Sequence, residues 1–128
     1  MNMKKNKRKF AMIFFGVILP IVLFVLIFIL DSRYADSLRD EYKNIEYRDE
    51  LNGIIESMKT RKGGVYLILE NDMKVRFYPS HNYLYKKPNI DGFLNKGDKL
   101  FKPKNSDTLY VFRNGRKYYF VLGEFINK

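Results

Sequence analysis

The feature that most limits this chain is an unbroken apolar run, Phe10 to Leu30, that contains no ionisable residue. At 1.5 Å per residue, a helix of this length spans about 30 Å, which is the thickness of the hydrocarbon core of a bilayer. A lone segment inside hydrocarbon must satisfy its backbone polar groups internally, so the run has to be helical. Gly16 and Pro20 are tolerated in membrane helices far better than in soluble ones. The sequence therefore predicts a transmembrane helix over residues 10–30, with the lipid bilayer as its first partner.

Basic residues are concentrated on the N-terminal side of this run. Residues 1–9 form a short tail that holds Lys4, Lys5, Lys7, Arg8 and Lys9. By the positive-inside rule this tail stays in the cytoplasm and the remainder of the chain is exported. The run is longer than a secretory h-region, and the LDSRYAD that follows offers no small-x-small cleavage site. We therefore expect an uncleaved signal-anchor and a single-pass membrane protein.

Residues 31–52 follow the anchor as a charged stalk whose apolar residues recur at intervals of three and four. These residues are Tyr34, Leu38, Tyr42 and Ile45. The spacing predicts a helix that ends near Leu51, with Asn52 and Gly53 as its C-terminal turn. The stripe could pair with a second copy, although fewer than three clean heptads are present, or it could lie against the distal domain or the membrane surface.

Charge is divided unevenly along the exported part. Residues 31–56 hold four basic and eight acidic residues, whereas residues 57–128 hold fifteen basic and six acidic residues. The sequence thus predicts a strongly basic domain carried on an acidic spacer. Because the chain has no cysteine, this domain forms no disulfide bonds and depends on packing, to which its many Tyr and Phe rings contribute.

From residue 53 onward the apolar pattern changes from a helical period to the period of two that is typical of strands. Residues 54–58 can form a first strand, and Arg61 to Gly64 supply a glycine-rich turn. Residues 65–69, VYLIL, are apolar on both faces and predict a covered central strand. Residues 73–77 alternate as a half-exposed strand.

The clearest local signal is the Asn114-Gly115 pair between two apolar segments, because both residues accept positive φ and specify a type I′ two-residue hairpin. In that register Arg113 faces Arg116, Tyr110 faces Tyr119 and Leu109 faces Phe120. The opposed arginines beside the turn form a candidate anion contact, although two solvated side chains at a hairpin tip have the same pattern.

Residues 80–95 form the longest irregular segment and contain the single histidine, His81. No cysteine or second histidine can complete a site around it, so we expect no chemistry there. We expect the rings of Tyr83, Tyr85 and Phe93 to cap one end of the domain.

About six short strands joined by glycine turns predict that residues 53–128 form a small all-β domain, an OB-like or SH3-like closed barrel. An N-terminal anchor followed by FLNKGDKLFKPKNSDTLYVFRNGRKYYFVLG, residues 93–123, resembles a group of small bacterial single-pass membrane proteins with a C-terminal β domain and no assigned function. The resemblance covers most of residues 51–127. It implies a bacterial membrane protein and no activity; together with the orientation expected from the positive-inside rule, we expect a bacterial inner (plasma) membrane location with the C-terminal domain extracytoplasmic.

The sequence contains no Gly-rich phosphate loop, no HExxH, no metal-spaced His or Cys set and no G-x-S-x-G. The acidic residues of the distal domain mostly fall in turn-like settings. We therefore expect no enzyme activity, no cofactor and no metal.

Three classes of function remain. The first is an interaction or structural module that binds an envelope protein or self-associates. The second is a basic domain that binds anionic envelope polymer or lipid head groups. The third, single-stranded nucleic-acid binding by stacking, conflicts with the predicted export. The expected anion or partner contacts are Lys86, Lys87, Lys99, Lys102, Lys104, Arg113, Arg116, Tyr83 and Tyr85.

Overall fold

The structure is a computed structural model that describes residues 3–128. It begins with α1 (Met3–Ile13), a π-helical turn (Phe14–Ile18) and α2 (Leu19–Glu41). Among the described residues, this continuous helix is the one that is long and apolar enough to cross a membrane, and its apolar side chains are exposed. The helix predicted over residues 10–30 is confirmed, and its length and composition suit a bilayer. The chain divides after Leu38 into two compact units.

The second unit is a β domain whose main sheet has seven strands in the order β1-β4-β3-β2-β6-β7-β8, with a separate parallel pair β5-β9. The β1–β4 contact is parallel, and the other contacts in the main sheet are antiparallel. The strands are β1 (Lys43–Asn44), β2 (Leu51–Arg61), β3 (Gly64–Leu69), β4 (Lys74–Phe77), β5 (His81–Asn82), β6 (Lys99–Lys102), β7 (Thr108–Arg113), β8 (Arg116–Val121) and β9 (Phe125–Ile126); a short helix, α3, spans Ile90–Phe93.

The predicted stalk helix is wrong beyond Glu41, because the residues that continue its stripe belong to the β domain. Tyr42 and Ile45 are buried there. Arg76 Nε donates to the Tyr42 carbonyl over 3.1 Å, and Ile45 N–H donates to the Arg76 carbonyl over 3.2 Å. Burial against the sheet therefore outweighs continuation of a solvated helix, and the chain enters the sheet as β1.

The long strand β2 belongs to both halves of the sheet. It pairs with β6 over Leu51–Ile54 and with β3 over residues 55–61, with a register shift between Ile55 and Ser57. A Cβ on Gly53 would lie 2.8 Å from Leu69 Cδ1, so a larger residue here would require the buried Leu69 side chain to shift. The Asn52-Gly53 pair, predicted as a turn, therefore lies inside a strand.

The predicted closed barrel is also wrong, because the main sheet of the described chain is open and ends at β1 and β8. Side chains of the 80–95 segment satisfy the outer edge of β8. Tyr119 N–H donates to the Tyr85 hydroxyl over 3.0 Å, and Asn82 Nδ2 donates to the Tyr119 carbonyl over 2.9 Å. Since these groups already have partners, this part of the edge needs no neighbouring strand to close it.

The final hairpin forms in the predicted register, with Arg113 opposite Arg116 and Leu109 opposite Phe120. Asn114 and Gly115 have φ values of 52° and 73°, as a type I′ turn requires. Leu109 and Phe120 are buried on one face, whereas the rings on the other face are half-buried.

The core is one cluster of aliphatic and phenylalanine side chains, drawn mainly from the strands. The 80–95 segment also contributes Ile90, Phe93 and Leu94 to it. This segment is therefore packed against the domain through α3, although no strand or helix was predicted for it.

Lys102, predicted as an anion contact, is instead a fully buried side chain. Its Nζ donates to the carbonyls of Tyr47, Pro103 and Ser106 over 3.2, 2.9 and 2.7 Å. Burial lowers the Lys102 pKa. The ammonium uses its three protons to hold the 47 and 103–106 segments against β6, so it is not offered to a ligand.

We expect Lys102→Met to lower the free energy of unfolding by about 2 kcal/mol, because carbonyls that accept from Nζ lose their donor. Urea unfolding of the full chain in detergent micelles, followed by near-ultraviolet circular dichroism of the tyrosines, measures this change. Lys104→Met, in the same turn but exposed, is the matched control and should stay within about 0.5 kcal/mol. Equal stability of the two variants would contradict the assigned role.

Candidate functional site

Several predicted contact residues are brought together around a cleft of about 490 Å³. The cleft lies between residues 84–95 and the tip of the β7–β8 hairpin, and we call it the cationic cleft. Its lining residues are Leu84, Tyr85, Lys86, Lys87, Gly92, Phe93, Asn95, Arg113, Arg116 and Tyr118.

Three aromatic rings pack against one another in the lining of the cationic cleft. The ring centroids lie 5.1 Å apart for Tyr85 and Phe93, 5.3 Å for Tyr85 and Tyr118, and 5.1 Å for Phe93 and Tyr118. Burial raises the pKa of the Tyr85 hydroxyl, which accepts the Tyr119 N–H. The rings are therefore a rigid apolar surface that joins the 84–95 segment to β8.

Arg113 does not present a free charge, because its guanidinium binds the buried carboxylate of Asp98. Nε donates to Oδ1 over 2.7 Å and Nη2 donates to Oδ2 over 2.5 Å. Nη2 also donates to the Phe93 carbonyl over 2.6 Å, and the guanidinium lies 4.7 Å from the centre of the Phe93 ring. The hydrogen bonds to Asp98 raise the Arg113 pKa further above its ordinary value. Of the two arginines predicted as an anion contact, Arg113 is therefore already paired with Asp98, and Arg116 alone remains a candidate.

The Asp98 carboxylate accepts hydrogen bonds from two separate parts of the chain. Its side chain is 3% exposed and also accepts the Asn95 N–H over 2.8 Å. One carboxylate therefore binds both the turn that follows the 84–95 segment and the hairpin that faces it. The separation of the two sides of the cationic cleft depends on this contact.

Three cations remain exposed in the lining: Lys86 and Lys87 on one side and Arg116 on the other. Within residues 3–128, none of the ion pairs involves these side chains. The cleft therefore carries unneutralised positive charge around an aromatic surface. Such a surface suits a ligand that is anionic and also has an apolar group.

The other predicted contacts do not line the cationic cleft. Tyr83 lies beside His81, with 3.3 Å between its hydroxyl and Nδ1. Lys99 is exposed on β6, Lys104 is exposed in the following turn, and Lys102 is buried. The nine residues predicted as anion or partner contacts therefore do not form one continuous surface.

Sequence reasoning missed Asp98 and Tyr118 as parts of the site. Asp98 is one of the acidic residues that the sequence places in turn-like settings, and it does accept a turn N–H. Its contact with Arg113 depends on the pairing of β6 with β7, which places Lys99 opposite Phe112. The turn-like setting of Asp98 is visible in the sequence, but its neighbour across the sheet is not.

No family model, curated protein or solved structure matches this chain. Within the described residues, no group of three or more His, Cys, Asp or Glu side chains is placed to hold a metal ion.

We expect Arg113→Met to lower the free energy of unfolding by about 3 kcal/mol, because it leaves a buried carboxylate unpaired. Arg116→Met at the opposing position of the same hairpin is the control and should change it by less than about 0.5 kcal/mol. Chemical denaturation of the full chain in micelles measures both. The account of the ion pair fails if the two variants are equally stable. It is strengthened if Asp98→Asn combined with Arg113→Met costs less than the sum of the single changes.

Proposed function

We propose that this chain is a single-pass protein of a bacterial inner membrane whose extracytoplasmic β domain is an interaction module. The apolar run of 10–30 supports the anchor, and the five basic residues of the tail support a cytoplasmic N-terminus. We propose that the cationic cleft is the contact site and that it binds an acidic segment of an envelope protein.

The observation that carries this proposal is the combination of unneutralised cations with packed rings in one cleft. Lys86 and Lys87 lie on one side, Arg116 lies on the other, and the rings of Tyr85, Phe93 and Tyr118 complete the lining. Aromatic residues and arginine are the residue types that contribute most to protein interfaces. An acidic segment with an apolar or aromatic residue between its carboxylates matches both features.

The rigidity of the cleft supports the same proposal. The Asp98–Arg113 pair and the contact between the Tyr85 hydroxyl and Tyr119 N–H hold its two sides in place. A preformed cleft loses less conformational entropy on binding than a mobile loop does. A partner segment would thus meet rings already in position, with the exposed cations Lys86, Lys87 and Arg116 beside them.

The second candidate is binding of anionic envelope polymer or lipid head groups, and the excess of basic over acidic residues in residues 57–128 favours it. That excess is spread over the surface, with exposed Lys59, Lys62, Lys96 and Lys104 outside the cleft. A ligand held by charge alone would use all of these cations and would not need the rings. The two candidates therefore differ in what the aromatic residues contribute.

We expect a synthetic peptide with Phe between Glu residues to bind the full chain in zwitterionic nanodiscs, measured by fluorescence anisotropy. Replacing Lys86, Lys87 and Arg116 together by Gln should weaken binding by at least about tenfold, because the charges that face the carboxylates are lost. Tyr118→Ala should weaken the Phe-containing peptide more than polyglutamate of equal charge. Lys59, Lys62 and Lys104 replaced together by Gln are the matched control.

The proposal is wrong if the control triple variant loses as much affinity as the cleft variant. The same holds if polyglutamate and inorganic polyphosphate bind as tightly as the Phe-containing peptide and Tyr118→Ala weakens all three equally. Either result would favour the anionic polymer or lipid instead.

A further inference from the structure

The anchor helix contains an irregular turn at one place, residues 14–18, where the hydrogen bonds follow a π-helical pattern. Leu19 N–H donates to the Phe14 carbonyl, five residues back, instead of to the Phe15 carbonyl. Pro20 follows directly, and its ring lacks an N–H. Proline thus accounts for the position of this turn, since π-type adjustments accommodate it in membrane helices.

This pattern leaves the Phe15 carbonyl without either of its regular helical donors. The α-helical donor would be Leu19 N–H, which is directed at Phe14, and the π-helical donor would be position 20, which is proline. Phe15 lies five residues inside the apolar run, about 8 Å below its start. A carbonyl without a donor at that depth in hydrocarbon costs several kcal/mol.

The anchor cannot supply the missing donor from its own side chains. Residues 10–30 contain no side chain with an N–H or O–H group. A second copy of the same helix has the same deficiency. Within the apolar run, therefore, neither this helix nor a copy of it offers a side-chain donor to the Phe15 carbonyl.

The residue that follows Phe15 is Gly16, which has no side chain. A Cβ built on Gly16 would meet nothing within 4 Å. Small residues at such positions let a second helix approach closely, and side-chain hydrogen bonds between membrane helices then add to the packing.

We propose that the anchor pairs, at Phe15 and Gly16, with a transmembrane helix of another membrane protein that carries a hydrogen-bond donor such as Ser, Thr, Asn or Gln at the same depth. This inference rests on the proposed membrane-spanning role of the helix. It makes the anchor a second contact site, independent of the cationic cleft.

The test uses the full chain reconstituted in dilute lipid vesicles with a synthetic Leu-rich transmembrane peptide as the probe. One peptide carries a single Gln at the depth of Phe15 and the other carries Leu there. Because the chain has no cysteine, a fluorophore placed by Ser32→Cys reports association by energy transfer. Co-flotation of the chain with vesicles and resistance to carbonate extraction check insertion separately, so failure of the anchor itself is recognised before association is measured.

We expect the Gln peptide to associate about fivefold more tightly than the Leu peptide, in line with one interhelical hydrogen bond. Pro20→Leu restores an N–H at position 20 and should abolish the preference. Gly16→Leu should reduce association by blocking close approach, whereas Leu26→Val, away from the turn, should leave the preference intact. The inference is overturned if both peptides bind equally, since water, lipid or the helix itself then satisfies the carbonyl, or if Pro20→Leu retains the preference.

Discussion

The bidentate contact between Asp98 and Arg113 is the interaction on which the site depends. A carboxylate that is 3% exposed needs a partner of opposite charge, and Arg113 supplies it together with a hydrogen bond to the Phe93 carbonyl. The pair joins the hairpin to the segment that faces it, so it sets the width of the cationic cleft. Because Arg113 is engaged by Asp98, the exposed cations of the cleft are Lys86, Lys87 and Arg116.

Local signals in the sequence predicted those parts of the fold that local chemistry determines. Asn114-Gly115 gave the hairpin and its register because positive φ at both positions leaves one turn type. The apolar run predicted the helix because its length and composition are also local properties of the sequence. The stalk and the barrel were predicted wrongly because both depend on distant contacts: Tyr42 is buried against the sheet, and the edge of β8 is satisfied by Tyr85 and Asn82.

The site was predictable as a set of charges but not as an arrangement. Lys86, Lys87 and Arg116 were identified from charge and loop position, and the structure places them around one cleft. Lys102 has the same side chain as these lysines, yet its position on β6 buries it beneath three carbonyls. Asp98 and Tyr118 became visible only with the pairing of β6, β7 and β8. Charge alone does not distinguish a structural lysine from one available to a ligand, because the difference lies in the sheet register.

We propose that the cationic cleft faces the outside of the cell. Because the chain has no cysteine, Asn114→Cys at the exposed hairpin tip offers a single thiol for a membrane-impermeant reagent. Labelling in intact cells, at a level that lysis does not increase, is the result we predict, and a cysteine placed by Asn6→Cys in the basic tail should react only after lysis. Protection of position 114 in intact cells, with labelling after lysis, would contradict the account, place the basic domain in the cytoplasm and make nucleic acid the next ligand to test.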